Sequence, residues 1–451
     1  MQVAVNLLVK SFINARYSCS INSVTYDNDL TSKTIWLYKL RVKVWSSDIN
    51  NQTAAMNIKQ QFQIFKNNPW LVYLDSASST QKPDFVVDKT SDYISNHYAN
   101  IGRWQYRLAE LWDEYYYGVK QKIAELTSGD PSEIFFTYNA TYGINIVALS
   151  LIENGIIKSW DEIVVGVAEH HANILVRQHL SALHNIGIKY LWLNSNLEYD
   201  IDELKTIITY KTKLVTLSLS SNVLGNKNNL NDIKDTIWQD VVVCIDVSQA
   251  IPHYKVDLKK LNCDIFVWSA HKFFAYTGLG IVHIKKSLSN KLNPIILGGG
   301  IVDDVNKDSH KLKNDISKRE PGTPNIISIV SLYNAIVRRG SIWWYDTWER
   351  YENKLIKKVL ERFEKIQEKV KLVNPNQSNR IWIFAFELKD QNHHRVWELL
   401  DQNNICVRVW WHCAYPLHQE LGIWSNIRLS LHIYNDEEDI DKFFDVLESI
   451  V

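Results

Sequence analysis

Two short apolar runs constrain this chain more than any other feature: Val241-Val242-Val243-Cys244-Ile245, ended by Asp246, and Ile265-Phe266-Val267-Trp268, followed by Ser269-Ala270-His271-Lys272. β-Branched and aromatic runs of this length read as buried strands. A lysine is among the residues least often buried, so one leaving such a strand needs a partner, a covalent bond or an exit to water. For a lone lysine the exit to water is the better reading. The aspartate at the end of the other run changes the balance, because two neighbouring strands then deliver an acid and an amine to one sheet edge, where open α/β sheets bind ligands. Pyridoxal phosphate requires such a pair: a lysine to hold it as a Schiff base and an acid to keep its ring nitrogen protonated.

The surrounding chain agrees with an open α/β sheet. Leu71 to Asp75 is the first convincing strand, and strands at 134–136, 162–167, 187–192, 213–219 and 280–284 alternate with helices or loops, the longest of these helices near 108–126. That alternation implies a mainly parallel sheet. Pro324 opens a helix, as proline does well in a first turn, and a charged helix follows from about Trp343 to Lys369. Strands at 380–388, 405–409 and 426–431, with helices at 393–403 and 436–450, read as a separate α+β unit. The expected organisation is an N-terminal extension over 1–56, a large cofactor-binding domain over 57–324 whose residues 57–82 can pack on the small domain, and a small C-terminal domain over 325–451.

Composition narrows the class of partner. The 50 basic and 50 acidic residues cancel and no long run of one sign occurs, so nucleic acid and polyanionic membrane surfaces are poor candidates and a small substrate is the default. No apolar stretch approaches the roughly 20 residues of a membrane span. The five cysteines, Cys19, Cys244, Cys263, Cys406 and Cys413, are odd in number and widely spaced, which speaks against a disulfide framework and a zinc site and for a reducing compartment. The first 26 residues carry Lys10 and Arg16 and no acid, loosely the composition of an organelle transit peptide, but without arginine enrichment or a clear amphipathic helix. The expected compartment is the cytoplasm.

Other residues fall at strand ends or helix starts, where backbone amides and hydroxyls hold phosphates. Thr141 and Ser269 are two. His170-His171 follows a strand, and a histidine there can stack on a flat ring. A helix cap or solvated surface is the simpler reading of two adjacent histidines, and a metal ranks below both because no carboxylate or cysteine lies at zinc-site spacing. Cys244, Cys263 and Cys406 lie in or beside strands and read as small buried apolar residues. Cys413 stands among polar and turn-prone residues next to His412, a setting that favours thiolate.

From about Phe62 to the C-terminus the chain resembles the cysteine desulfurases of aminotransferase class V, in particular the group serving the Suf iron-sulfur assembly system. The resemblance rests on Tyr73 to Ser78 with Gln81-Lys82-Pro83, Glu169 to Asn173, Ser221 to Gly225, Asp246 with Gln249, Ser269 to Lys272, Gly298 to Gly300, Gly322 to Asn325, His412-Cys413-Ala414 with Pro416-Leu417, and Arg428. It implies fold type I of the pyridoxal-phosphate enzymes, with a seven-stranded sheet in the large domain. Lys272 would hold the cofactor and shuttle protons, Asp246 would pair with its ring nitrogen, Gln249 would bond its ring oxygen and His170 would stack on the ring. Thr141, Ser269 and His271 would bind the phosphate, with Thr323 supplied by the other subunit of a homodimer. Arg428 by a bidentate fork and Asn222 would hold the α-carboxylate of L-cysteine, with Arg408 near the substrate. Cys413 would take the sulfur as a persulfide and pass it to a Suf-type acceptor protein.

The chain departs from the family in four places. Val409-Trp410-Trp411 stands where Thr-Gly-His precedes the histidine-cysteine pair. One of two phosphate-loop threonines is missing beside Thr141. Val247-Ser248 replaces Gly-Ala, and Gly102-Arg103-Trp104 replaces His-Arg-Gly. A selenocysteine lyase or another class V lyase is the nearest alternative, although kynureninase-like chemistry would not need Cys413. A non-catalytic scaffold of the same fold is the alternative from another class, and joint retention of Lys272, Asp246, Cys413 and Arg428 speaks against it.

Overall fold

The computed structural model describes residues 58–451 except 101–105, 232, 343–344, 377 and 390, so the N-terminal extension and Gly102-Arg103-Trp104 lie outside the described residues. The strands in chain order are β1 (Val72–Tyr73), β2 (Ile134–Thr137), β3 (Glu162–Gly166), β4 (Gly187–Leu191), β5 (Thr212–Ser218), β6 (Val242–Asp246), β7 (Ile265–Ser269) and β8 (Gly280–Ile284). They continue with β9 (Val302–Val305), β10 (His310–Leu312), β11 (Val370–Leu372), β12 (Ile383–Leu388), β13 (Ile405–Cys406), β14 (Arg408–Trp410) and β15 (Asn426–Ser430).

Seven of them form one sheet in the order β2-β8-β7-β6-β5-β3-β4. β7, β6, β5, β3 and β4 run parallel, and β8 is antiparallel to both its neighbours. Because strand side chains alternate between faces and both faces are buried, the central strands are largely apolar; the fully buried Thr216 of β5 is an exception, its hydroxyl accepting from Asn173 Nδ2 at 2.6 Å. Val215, Leu217, Val243, Ile245, Phe266 and Trp268 enter the core on one face, while Leu214, Val242, Cys244, Ile265 and Val267 enter the core on the other. A polar residue at any of these positions would be buried in one core or the other.

A second, four-stranded antiparallel sheet, β11-β12-β15-β14, carries the C-terminal part of the chain. The helices Tyr345–Lys365, His393–Gln402 and Glu437–Ile450 accompany it. Its Phe384, Phe386, Ile427 and Leu429 belong to the same core as one face of the large sheet. β1 does not join the large sheet: it pairs in parallel with β13, and Asp75 bridges to Ser430. The stretch 405–409, read as one strand, is two. Ile405–Cys406 pairs with β1 and Arg408–Trp410 pairs with β15. The hairpin of β9 and β10 carries no apolar run, which is why periodicity does not reveal it.

Candidate active site

The tips of the parallel strands and the edge of the small sheet enclose a cavity of about 350 Å3. Ala77, Thr141, His170, Asn222, Asp246, Gln249, Ser269, His271, Lys272, Arg408, Cys413 and Arg428 all line it. Of the residues singled out by sequence, only Thr323 does not; it sits in an exposed loop after Gly322. Asn139, Ser78, Ser218, Ser220, Ser248 and His412 also line the cavity and were not assigned from sequence.

Each wall has a local cause. β6 ends in Asp246, whose Oδ1 accepts from the Ser248 backbone N–H at 2.8 Å. β7 ends in Ser269, and the short turn Ala270–Lys272 then turns Lys272 towards the cavity. Burial lowers the Lys272 amine to about 8, with Asp246 opposing the shift and Arg428 adding to it. Asn139 caps the helix Ala140–Glu153 through the Tyr142 N–H, and the Ala140 N–H donates to Ser269 Oγ at 2.9 Å. The Ser269 hydroxyl proton is therefore left for another acceptor. His271 is half-buried, its Nδ1 is buried with no hydrogen-bond partner among the described residues, and burial brings its pKa down to about 4, helped by Lys272 and Lys82. A helix N-terminus, a free hydroxyl proton and an orphaned imidazole nitrogen fit a phosphate.

His170 caps the helix His171–His184: its Nδ1 accepts from the Ala172 N–H at 3.1 Å, which leaves any ring proton on Nε2. Burial, then Lys272, lowers its pKa to about 3, so the ring is neutral. Beneath it Glu169 is fully buried and accepts from Tyr199 Oη (2.6 Å), Ser218 Oγ (2.8 Å) and Asn173 Nδ2 (2.9 Å). Burial still pushes this carboxyl up to about 7.

The cysteine loop comes from the small sheet. Cys413 is exposed, whereas Cys244 and Cys263 are buried and Cys406 is half-buried. The Cys413 carbonyl accepts from the His171 N–H at 2.6 Å, and the Tyr415 N–H donates to His171 Nε2 at 3.0 Å. The His412 carbonyl accepts from Asn222 Nδ2 at 2.6 Å. Trp410, His412 and Cys413 have φ of 107°, 49° and 59°. Trp410 thus occupies a left-handed backbone position, the conformation glycine adopts most readily.

A chain of hydrogen bonds holds this strained segment. His418 Nδ1 donates to the Ala414 carbonyl (2.9 Å), so its Nε2 is the acceptor for Asn426 Nδ2 (2.8 Å), and Asn426 Oδ1 takes the proton of His412 Nε2 (2.6 Å). The direction of each bond fixes the next, and both rings are neutral. Burial is the main reason: it depresses His418 and drives His412 well below its ordinary value.

Two arginines complete the site. β14 and β15 place Arg408 and Arg428 directly opposite each other. Arg428 Nη1 donates to the Asn222 carbonyl at 2.9 Å, and its Nη2 donates to Asp75 Oδ1 at 3.1 Å and Ser78 Oγ at 2.8 Å. Asn222 thus meets Arg428 through its backbone and the cysteine loop through its side chain. Asp75, which follows β1, entered the sequence reading only as part of a motif, because its role depends on contacts across more than 300 residues of chain.

The sequence and fold of the chain have known relatives. Residues 72–443 match the aminotransferase class-V family model. A probable cysteine desulfurase of Staphylococcus aureus is 33% identical over 384 residues, covering 85% of this chain and 92% of the relative. Its counterpart from Halalkalibacterium halodurans is 33% identical over 399 residues, covering 87% and 97%. Among solved structures, the apo cysteine desulfurase of Thermococcus onnurineus superimposes with a TM-score of 0.83 at 28% identity, covering 88% of this chain and 98% of that one. The chain belongs to the aminotransferase class-V family.

Proposed function

We propose that this chain is a pyridoxal-phosphate-dependent cysteine desulfurase that converts L-cysteine to L-alanine and passes the sulfur onward from Cys413. The observation that carries this reading is the convergence of Lys272, Asp246, Arg428 and the exposed Cys413 on one cavity. Pyridoxal phosphate, when bound there, supplies a protonated ring that accepts electrons from the substrate's α-carbon.

The protein's own groups do the rest. Lys272 is the attachment point and the proton carrier, and its lowered pKa leaves a useful share of free amine near neutral pH. Asp246 would keep the ring nitrogen protonated, Gln249, which donates one amide N–H to the Ala77 carbonyl, would have the other for the ring oxygen, and the neutral His170 would stack on the ring. Thr141, Ser269 and His271, which line the cavity, would hold the cofactor phosphate. Arg428, Arg408 and Asn222 hold the substrate carboxylate. The Cys413 sulfur attacks the substrate sulfur: the carbon-sulfur bond breaks, a sulfur-sulfur bond forms, and the carbon takes a proton delivered by Lys272. The product persulfide then goes to a thiol of a Suf-type acceptor protein in iron-sulfur cluster assembly.

Further features of the reading are a homodimer, in which the exposed Thr323 reaches the phosphate of the neighbouring subunit, a cytoplasmic setting, and a boundary between large and small domains near Pro324. Among the described residues no helix is long and apolar enough to cross a membrane. The test is to incubate the holoenzyme with L-cysteine and a thiol reductant. Alanine and sulfide in equal amounts support the reading; a cofactor band unmoved by cysteine, with no alanine, would leave a non-catalytic scaffold.

A further inference from the structure

The segment that carries Thr323 is thinly held. Gly322 and Thr323 are exposed, and a side chain on Gly322, at φ +83°, would meet nothing within 4 Å. The Gly322 N–H donates at 2.9 Å to the carbonyl of Gly299, which is itself exposed. Ordering glycines of this kind costs more backbone entropy than ordering any other residue. On the C-terminal side Asn325 Nδ2 donates to the Gly278 carbonyl at 3.0 Å, just before the helix Ile326–Ile342 begins. On the N-terminal side stands Glu320.

The Glu320 side chain is buried, and its donors come from two other elements. Oε1 accepts from Lys120 Nζ at 2.8 Å and from the Phe136 N–H of β2 at 2.9 Å, and Oε2 accepts from Tyr116 Oη. Lys120 and Tyr116 lie one turn apart on the helix Arg107–Thr127, and Lys120 Nζ also donates to Tyr116 Oη at 2.9 Å. Burial, then Glu320, raises the Tyr116 pKa, so the phenol stays a donor. A charge-paired clasp thus ties the chain to a helix and to the sheet's edge strand three residues before Thr323. A buried ion pair is by itself weak evidence for stability, because desolvation offsets its attraction. Its place in the chain is the informative part. β2 also runs on towards Asn139 and Thr141 of the same chain's phosphate turn, but that turn has other support. All four residues of β2 pair with β8, Asn139 caps the next helix, and the Ala140 N–H donates to Ser269. The exposed loop depends on the clasp far more.

We propose that Glu320 is a positioning residue, held by Lys120 and Tyr116, that fixes the loop presenting Thr323 to the cofactor phosphate of the partner subunit. This rests on the homodimer reading given above. Glu320→Gln replaces one of the two acceptor oxygens by an amide donor and leaves the Lys120 charge buried without its counter-ion. The loop then comes away from the helix, while the cavity of the same chain keeps its own lining.

The test measures affinity as the pyridoxal phosphate that borohydride fixes to Lys272 at rising cofactor concentration. In homodimers Thr323→Ala and Glu320→Gln each weaken it by about tenfold. Tyr116→Phe, which keeps the ion pair, weakens it by about threefold. Glu320→Gln combined with Thr323→Ala is no worse than Thr323→Ala alone, because Glu320 acts through Thr323. Mixed dimers, purified through a different tag on each chain, then show which site is served. A Lys272→Ala chain leaves its partner's Lys272 as the point of fixation. Glu320→Gln on the Lys272→Ala chain weakens the partner's site by about tenfold; on the chain that keeps Lys272 it leaves that chain's site within about twofold of wild type. The same pair of mixed dimers made with Tyr116→Phe, showing the same pattern at smaller size, keeps the test decisive if Glu320→Gln fails to fold. The reverse pattern, a loss in both arrangements, or additive losses in the double variant would each overturn the proposal. So would wild-type affinity in Glu320→Gln where Thr323→Ala is weakened. A monomeric chain, or wild-type affinity in Thr323→Ala, would sink the homodimer reading itself, and this proposal with it.

Discussion

Asn426 is the middle member of the hydrogen-bonded chain that holds the cysteine loop, and Asn426→Leu removes it while keeping the number and branching of the side-chain heavy atoms. The residue is fully buried, and both ends of its amide are used. The substitution orphans Nε2 of His412 and of His418, two rings that are themselves only 6% and 1% exposed. Each buried orphan costs about 1–3 kcal/mol, or about 2–6 together, and the leucine recovers about 1–2 kcal/mol by burying apolar surface. The net loss spans about 0–5 kcal/mol, centred near 2–3 kcal/mol, a sizeable part of the ~5–15 kcal/mol that typically separates folded from unfolded states. The left-handed residues Trp410, His412 and Cys413 need this support, since such positions store about 1–3 kcal/mol each.

Denaturant unfolding reads the stability. Iodoacetamide labelling of Cys413, followed by peptide mass spectrometry, reads the loop. The variant should alkylate at a changed rate and transfer sulfur poorly while its cofactor band still responds to L-cysteine. Stability within about 0.5 kcal/mol of wild type, with unchanged labelling and transfer, would refute the reasoning.

The same chain sets a pH dependence. His412 and His418 have folded pKa values below the ordinary 6.5, so the contribution of their neutral rings is present above 6.5 and is lost as pH falls below it, when the unfolded chain takes up protons the folded one resists. Asn426→Asp should reverse this in part. A carboxylate facing His418 Nε2 raises the folded pKa, so its stabilising effect is full below 6.5 and fades as pH rises through the raised value; thermal melts across pH read both signs. Cofactor uptake by apoprotein should climb with a midpoint near the Lys272 value of about 8 rather than 10.5. At pH 7 that shift multiplies the free amine by roughly 300. A midpoint above 10 in the absorbance time courses would contradict it. Gly225→Ala should cost more than about 3 kcal/mol or prevent folding, because Gly225 has φ +68° and a Cβ there would run into the Ile383 carbonyl; a normal melting temperature would be the contrary result.

Sequence reasoning reached the large sheet because its central strands are buried on both faces and are mostly apolar, and it reached Asp246 and Lys272 because they stand at or just past the ends of two such runs. The helix Arg107–Thr127 was legible near 108–126. What it did not reach is relational. Asp75 and Arg408 are separated by more than 300 residues and meet only because β1 joins β13 rather than the large sheet. His418 and Asn426 carry no motif: each is an ordinary polar residue until the fold sets them in line with His412. Trp410 was visible as bulk in place of glycine, but its cost, a φ of 107° beside the nucleophile, is a property of the backbone.

The most direct test of the central claim is to find where the sulfur goes. Holoenzyme given L-cysteine without reductant should carry one additional sulfur on the peptide containing Cys413, with none on Cys244, Cys263 or Cys406, and should release alanine in matching amount. Cys413→Ser should keep the cofactor band and its response to cysteine, yet form neither persulfide nor alanine, while Cys406→Ser behaves as wild type. Wild-type turnover in Cys413→Ser, or a persulfide on Cys406, would contradict the account.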